Sequence, residues 1–333
     1  MSLPGRSCPL AYRYRPEDLA GPAAFEAATL YVAGGLYGNT SALGAILQRA
    51  AAEPSPPQLV FNGDFHYLDA HPAAFRRIAE GVLAHRATLG NVEYALTAGD
   101  SQLGCGCDYP AYVPDSVVRD SNAVVDRLRA TAANFPGHLG QLAELPRYLT
   151  AIVGAHRVAI VHGDPESLAG WRLALEAIEP ADQLARARTG WTGTPTSAAD
   201  IADWCARADV EVICSTHTGL PYAQDLQRHG TRYLVANNGC AGLPNFTARR
   251  HGVITRLSAS PVVPADSLYG ASLAGLRFDA LPVHYDTGRW SSEFLAAWPP
   301  GTPGHHGYYS RITDGTWLPL GRAARGQVHL IRR

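Results

Sequence analysis

Short hydrophobic runs that end on a polar residue recur along the chain, and they are typical of buried β-strands. Three of these runs stop beside an ionisable side chain: residues 59–61 before Asp64, residues 158–161 before His162, and residues 212–214 before His217. A fourth segment, Gly90 to Glu93, presents the amide of Asn91 after a glycine that permits a sharp turn. Loops at the carboxyl ends of strands converge in layered α/β proteins, so we expect these side chains to meet.

Helical patterns alternate with the strand patterns and predict an α/β protein. A first helix is predicted to be capped by Thr40 or Ser41, a second to run from Pro72 through Ala84, and a third to begin at Asp115. A fourth helix is predicted after Pro165, and a fifth is predicted to end near Arg207. Residues 147–162 are expected to form a strand pair, and residues 223–257 to close a second sheet. We predict that the helix from Asp115 covers a sheet.

The predicted organisation has three parts. Residues 1–27, rich in proline and arginine, form an N-terminal arm, and residues 28–257 form the core. Residues 258–333 are rich in loop-forming residues and are expected to be a C-terminal extension packed on that core.

Composition narrows the possible functions. The chain has 333 residues, 46% of them hydrophobic, which is enough for a large core without disulfides or structural metals. A formal net charge of −1 and a charged fraction of 17% argue against binding to nucleic acid or to an anionic membrane surface. The six cysteines are scattered, and neither a signal peptide nor a membrane span is apparent, so a cytoplasmic location is expected.

Five segments, in order, resemble the motifs of the calcineurin-like metallophosphoesterases, which read D-x-H, G-D-x-x-D, G-N-H-[DE], a histidine after a strand, and G-H-x-H. The corresponding segments of this chain contain Gly35 and Tyr37, Asp64, Asn91, His162, and His217 and Gly219. The resemblance spans about residues 28–257. It implies a four-layer α-β-β-α sandwich of two mixed sheets flanked by helices.

The resemblance also implies a selective loss of metal ligands. In the family, one ion is held by the residue types found here at Asp64, Asn91, His162 and His217. Three ligands of its neighbour are replaced, by Gly35, Tyr37 and Gly219. We therefore predict a single divalent transition metal, Mn, Fe, Zn or Ni.

The function implied is hydrolysis of a small phosphate ester, either a phosphomonoester or a phosphodiester, at that single ion. Val92 replaces the family's catalytic histidine after Gly-Asn, so His66 is our candidate for the general acid. Tyr37 is the candidate hydrogen-bond donor in the vacated space, and Glu93 the candidate brace for the metal loop.

Three alternatives remain open at this stage. A second ion could be rebuilt through Tyr37, His66 or Tyr67. Cys105 and Cys107 could act on the substrate or in redox chemistry, or could be small buried thiols in a structural turn. The protein could also be a catalytically impaired, metal-dependent binder or sensor of a phosphate-bearing ligand.

Overall fold

The computed structural model describes residues 3–6, 8–99 and 101–331, and its strands form two mixed sheets of seven strands each. The strands are β1 (Phe25–Ala27), β2 (Thr29–Ala33), β3 (Gln58–Asn62), β4 (Arg86–Thr88), β5 (Tyr148–Val153), β6 (His156–Val161), β7 (Val212–Ser215), β8 (Tyr222–Arg228), β9 (Thr231–Asn237), β10 (Gly252–Ser258), β11 (Tyr269–Leu273), β12 (Leu276–Val283), β13 (Ala324–Arg325) and β14 (His329–Leu330). The first sheet has the order β14-β11-β12-β10-β2-β3-β4, and the second has the order β1-β5-β6-β7-β9-β8-β13.

Helices lie on the outer faces of the two sheets. They are α1 (Thr40–Ala51), α2 (Pro72–Leu83), α3 (Asn91–Thr97), α4 (Asp115–Ala132), α5 (Pro136–Ala143), α6 (Gln183–Thr189), α7 (Ala198–Ala208), α8 (Thr287–Ala297) and α9 (Pro303–Asp314). Short 3₁₀ turns cover Leu10–Tyr12, Pro16–Ala20, Ser101–Leu103 and Leu320–Arg322. No helix in these described ranges is long and apolar enough to cross a bilayer.

Alternation along the strands divides the hydrophobic core into two regions. In β2, Leu30 and Val32 pack with the second sheet, whereas Tyr31 and Ala33 pack with the helices on the opposite face. This is the period of two that a strand buried on both faces requires. The expected α-β-β-α sandwich is therefore confirmed.

Parallel pairing brings the predicted site loops to one edge. In the first sheet β2, β3 and β4 are mutually parallel, and in the second sheet β6, β7 and β9 are parallel. The two sheets are joined at this edge by Asn62, whose Nδ2 donates to the carbonyl of Val161 at 2.8 Å. The carboxyl ends of strands from both sheets therefore meet.

Several predicted elements are confirmed, with small shifts. Helix α1 begins at Thr40, but its cap is Asn39, whose side chain accepts from the amide of Ala42. Residues 148–161 form the antiparallel pair β5 and β6. Helix α4 does begin at Asp115, yet it packs against α9, α3 and α2 rather than covering a sheet.

Other predictions differ from the structure. The helix expected after Pro165 is replaced by turns, because the buried carboxylate of Asp164 accepts the amides of Glu166 and Ser167 and closes a local turn. Strand β10 belongs to the first sheet, so residues 223–257 do not close one sheet together.

The expected boundary at residue 258 does not separate two structural units. Strand β12 pairs with β10 along the whole length of β10, and β11 pairs with β12. The predicted arm also contributes to a sheet, because β1 pairs with β5. Both terminal regions are thus part of the sandwich.

Candidate metal centre

Four side chains predicted as ligands converge at the meeting edge of the two sheets. The Nε2 atom of His162 lies 3.4 Å from Oδ1 of Asp64, 3.2 Å from Oδ1 of Asn91 and 3.3 Å from Nδ1 of His217. All four residues are buried. Asp64, His162 and His217 form a group whose ligand atoms all lie within 4.8 Å of one another.

Backbone carbonyls fix which atom of each ligand faces the centre. His162 donates from Nδ1 to the carbonyl of Asn62 at 2.9 Å, and His217 donates from Nε2 to the carbonyl of Cys107 at 3.1 Å. Asn91 donates from Nδ2 to the carbonyl of Cys105 at 3.0 Å. A carbonyl can only accept, so the opposite atoms of these side chains present lone pairs inward.

This arrangement fits a cation. Two imidazole nitrogens, an amide oxygen and a carboxylate oxygen face one another, and their neutral hydrogen-bonding partners all lie on the outside. Lone pairs held this close repel unless a positive charge lies between them. Bonds of about 2.0–2.2 Å to a tetrahedral or octahedral ion separate neighbouring ligand atoms by about 3.0–3.5 Å, close to the distances found.

The electrostatics agree with a site built for positive charge. Burial opposes charging of His162, but the adjacent Asp64 carboxylate outweighs burial and raises the pKa of His162. Burial and the nearby His162 together lower the pKa of His217 to about 3, so its imidazole is neutral and free to bind a metal. Burial also opposes ionisation of Asp64, yet His162 lowers its pKa overall.

The loop that carries Asp64 is held by Glu93, as expected. The buried carboxylate of Glu93 accepts the backbone amides of Asp64 at 2.8 Å, Gly90 at 3.0 Å and His66 at 3.1 Å. Asp64 itself has a left-handed backbone with φ of 51°, an unusual conformation that such bracing can maintain. Burial and the Asp64 carboxylate raise the pKa of Glu93 to about 7.

The space next to Gly35 and Gly219, beside the four converging side chains, is filled by other side chains. The ring of Tyr37 lies over Gly35, where a Cβ would approach its Cε2 within 2.3 Å. A Cβ on Gly219 would point toward Nη1 of Arg311 at 3.6 Å and Oη of Tyr37 at 3.8 Å. A phenol and a guanidinium therefore occupy the region beside the four ligands.

A small cavity of about 120 Å³ joins the two halves of the site. Its lining includes three of the ligands and a set of aromatic residues: Asp64, Asn91, His217, Tyr37, Tyr67, Tyr109, Trp171 and Tyr308. The candidate metal position thus opens onto a space for a reacting group, as catalytic sites require. Burial raises the pKa of Tyr67 well above its usual value, which disfavours a phenolate ligand there.

Solved structures with the same architecture were found. A hypothetical protein of Pyrococcus horikoshii OT3 aligns over 87% of this chain and 99% of its own, with a TM-score of 0.56 and 16% sequence identity. A metallophosphoesterase of Sphaerobacter thermophilus aligns over 87% of this chain and 100% of its own, with a TM-score of 0.52 and 17% identity. The chain has the calcineurin-like phosphoesterase fold. No protein-family model and no curated protein sequence matches it.

His66 does not occupy the place in this phosphoesterase fold that the general-acid role requires. Its buried ring stacks on Phe75 with centroids 4.1 Å apart, and its Nδ1 lies 2.6 Å from the carboxylate of Asp69. His66 is not among the residues that line the cavity. The geometry therefore supports a structural role for His66, whereas Tyr37 does line the cavity.

Cys105 and Cys107 lie beside the ligands, where their backbone carbonyls orient Asn91 and His217. Both side chains are buried, and all six cysteines of the chain are free thiols. Burial raises the pKa of the Cys107 thiol well above its usual value, so it stays protonated and unreactive. The loop that carries Cys105 and Cys107 therefore orients two of the candidate metal ligands.

Four residues that line the cavity were not predicted from the sequence as site residues: Tyr109, Trp171, Tyr308 and Arg311. Trp171 lies in the segment after Pro165 that was predicted to be helical and that the structure shows as turns. Its indole Nε1 donates to the carbonyl of Cys107 at 2.9 Å. Tyr308 and Arg311 come from α9, outside the segment that resembles the family. Tyr308 and Arg311 are three residues apart and therefore share one face of α9, but this signal requires knowing that the segment is helical.

Proposed function

We propose that the protein is a phosphoesterase that uses one divalent transition metal ion held by Asp64, Asn91, His162 and His217. One observation carries the proposal: four lone-pair donors converge, with their protons directed outward, beside a cavity. A bound divalent ion supplies Lewis-acid polarisation of a phosphoryl oxygen and lowers the pKa of water toward about 7. The mixed nitrogen and oxygen set suits Mn, Fe, Zn or Ni.

The chain's own residues hold and shape the reacting group. His162 is wholly buried behind the other ligands, whereas Asp64, Asn91 and His217 face the cavity and leave one side of the centre accessible. Tyr37 is a neutral donor there, because burial raises its pKa well above its usual value. Its hydroxyl is available to donate a hydrogen bond to a phosphoryl oxygen.

A second cavity of about 480 Å³ offers space for the leaving group. It lies between α4 and α9 and shares Tyr67, Tyr308 and Arg311 with the smaller cavity. Val117 and Val124 make part of its wall apolar, while Asp120 and His306 supply polar groups. The expected substrate is a small phosphate ester whose organic part extends into this cleft.

Among the described residues, the smaller cavity offers no evident proton donor for a leaving group near neutral pH. Val92 stands beside Asn91, His66 faces the core, and the lining tyrosines have raised pKa values. Leaving groups that depart without a proton should therefore be hydrolysed best. The same observation favours the rival function, a metal-dependent binder of a phosphate-bearing ligand.

Steady-state hydrolysis of 4-nitrophenyl phosphate and bis(4-nitrophenyl) phosphate, with Mn, Fe, Zn and Ni supplied in turn, tests the proposal. We expect turnover that depends on metal and disappears in His162→Ala, with turnover for nitrophenyl esters exceeding that for alkyl esters. Absence of metal-dependent turnover, with phosphate binding retained, would favour the binder.

A further inference from the structure

Arg311 is fixed beside the metal centre by helix α9. Its Nε donates to the carbonyl of Pro244 at 2.8 Å, and its Nη2 donates to the carbonyl of Gly219 at 2.9 Å. Nη2 also donates to Oδ1 of Asn245 at 3.4 Å, so three hydrogen bonds orient the guanidinium, and its planar fork is suited to such positioning. Nη1 is left without an oxygen acceptor among the described residues.

Nη1 of Arg311 lies close to Gly219. Gly219 stands where the resembled family has the second histidine of G-H-x-H. A Cβ built at Gly219 would lie 3.2 Å from Sγ of Cys240 and 3.6 Å from Nη1 of Arg311. The guanidinium therefore brings positive charge to the side of the cavity where a second metal ion would be expected.

The charge of Arg311 is not neutralised within the protein. Among the described residues, no carboxylate lies within ion-pair distance of its guanidinium. The cavity groups next to it, Tyr37, Tyr308 and Cys240, are neutral, because burial raises the pKa of each. A partly buried cation with only neutral partners stabilises an anion brought into the same cavity.

We propose that Arg311 replaces the second metal ion as the group that binds the non-bridging oxygens of a phosphomonoester. The inference rests on the proposed function, because the phosphate would lie between Arg311 and the ion held by the four ligands. A terminal phosphate carries between −1.5 and −2 charge near pH 7, whereas a diester carries one. A metal ion and a guanidinium that border the same small cavity favour the more highly charged group.

Inorganic phosphate, titrated calorimetrically into the protein loaded with Mn²⁺, is a direct probe of this role. A hydrogen bond to a charged group contributes about 1.5–3 kcal/mol, so Arg311→Met and Arg311→Gln should weaken phosphate binding at least tenfold. Arg311→Lys should restore part of the affinity. Bound Mn²⁺ should remain one per chain in all three variants.

Arg250→Met is the matched control. Arg250 also donates to a carbonyl of α9, that of Thr313 at 2.8 Å, but it does not line the cavity. Its substitution should change phosphate affinity less than twofold. The inference is overturned if the folded Arg311→Met or Arg311→Gln variant binds phosphate within twofold of the parent, or if the loaded parent binds none.

Kinetics separate this inference from the proposed function. If the parent hydrolyses esters, both neutral variants should lose at least tenfold more kcat/KM for the monoester than for the diester. Turnover that is unchanged in both variants would reject the phosphate-binding role of Arg311 and would leave the proposed phosphoesterase function unaffected. A parent without turnover, whose phosphate binding depends on Arg311, would reject the enzyme and retain the phosphate site.

Discussion

The two halves of the site share one loop framework but hold different chemistry. On one side, Asp64, Asn91, His162 and His217 keep their lone pairs directed at a common point. On the other side, the loops after β2 and β7 carry small or aromatic residues, and Arg311 enters from a distant helix. One half gathers four candidate ligand atoms, and the other half is occupied by the side chains of Tyr37 and Arg311.

The difference lies in the side chains rather than in the backbone framework. The amide of Gly242, in the loop after β9, donates to the carbonyl of Gly35 at 3.1 Å, so these two loops are tied together. Arg311 places a positive charge at the same cavity. If both proposals hold, binding of phosphate and binding of metal can be separated by substitution.

The largest effect is expected for His162→Ala, which removes the ligand that lies within 3.4 Å of the other three. Tight metal binding should disappear, and turnover should fall about 1000-fold or more, because metal-ion stabilisation contributes several kcal/mol. Metal analysis after gel filtration, together with the nitrophenyl phosphate assay, measures both. Full activity in the variant would show that the ion is elsewhere.

Metal removal should lower thermal stability only when the four ligands are intact. Free metal at about 100 times its Kd stabilises the folded state by about 2.7 kcal/mol, and the melting temperature should rise by several degrees. Melting curves with Mn²⁺ and with EDTA measure the shift, and His162→Ala serves as the control that shows none. An equal shift in both proteins would assign it to another binding site.

Glu93→Gln should weaken the metal half without removing a ligand. The carboxylate of Glu93 accepts three backbone amides around Asp64, and loss of such support typically costs about tenfold to 100-fold in metal affinity. Calorimetric Mn²⁺ titration gives the value. Glu293→Gln, in α8 and outside the cavity that the candidate ligands line, is the control and should bind Mn²⁺ like the parent.

Tyr37→Phe should weaken phosphate binding or turnover only slightly. Loss of one neutral hydrogen bond to the phosphoryl group is expected to lower phosphate affinity or kcat/KM about twofold to tenfold, with metal affinity unchanged. Phosphate and Mn²⁺ titrations on the same preparation separate the two. A loss of Mn²⁺ binding would instead identify Tyr37 as a metal ligand.

Restoring the family's missing ligands should change least. In the triple variant Gly35→Asp, Tyr37→His, Gly219→His, we expect the metal count to remain one per chain. Gly219 has a φ of +68°, which strains any other residue, and the nearby guanidinium repels a second cation. Two ions per chain by metal analysis would contradict this, whereas a second ion that appears only after adding Arg311→Met would support it.

The convergence of three of the side chains could be predicted from local signals. Asp64, His162 and His217 each follow a strand, whereas the choice of all four side chains as ligands of one ion rested on the family resemblance. Arg311 could not be predicted in this way. Its contact with Gly219 crosses from α9 to the loop after β7, and no periodic pattern encodes such a long-range pairing.

The predicted fold failed where local interactions or long-range pairing decided the outcome. The turn at Asp164 replaced a helix because a buried carboxylate captured nearby amides. Strands β11 and β12 fall in the predicted C-terminal extension, because the sequence after residue 258 is rich in loop-forming residues. Pairing of β12 with β10 and of β11 with β12 makes these segments strands.

Helix α9 gives the protein a means of altering ligand preference independently of metal loading. Of the four candidate metal ligands, Asp64, His162 and His217 lie on loops after strands and Asn91 begins α3, whereas Arg311 and Tyr308 both belong to α9. Substitutions along α9 can therefore reshape the compartment for the organic moiety and retune its charge, leaving the coordination sphere untouched. Exchange of this helix is a direct route for engineering ligand preference in this fold.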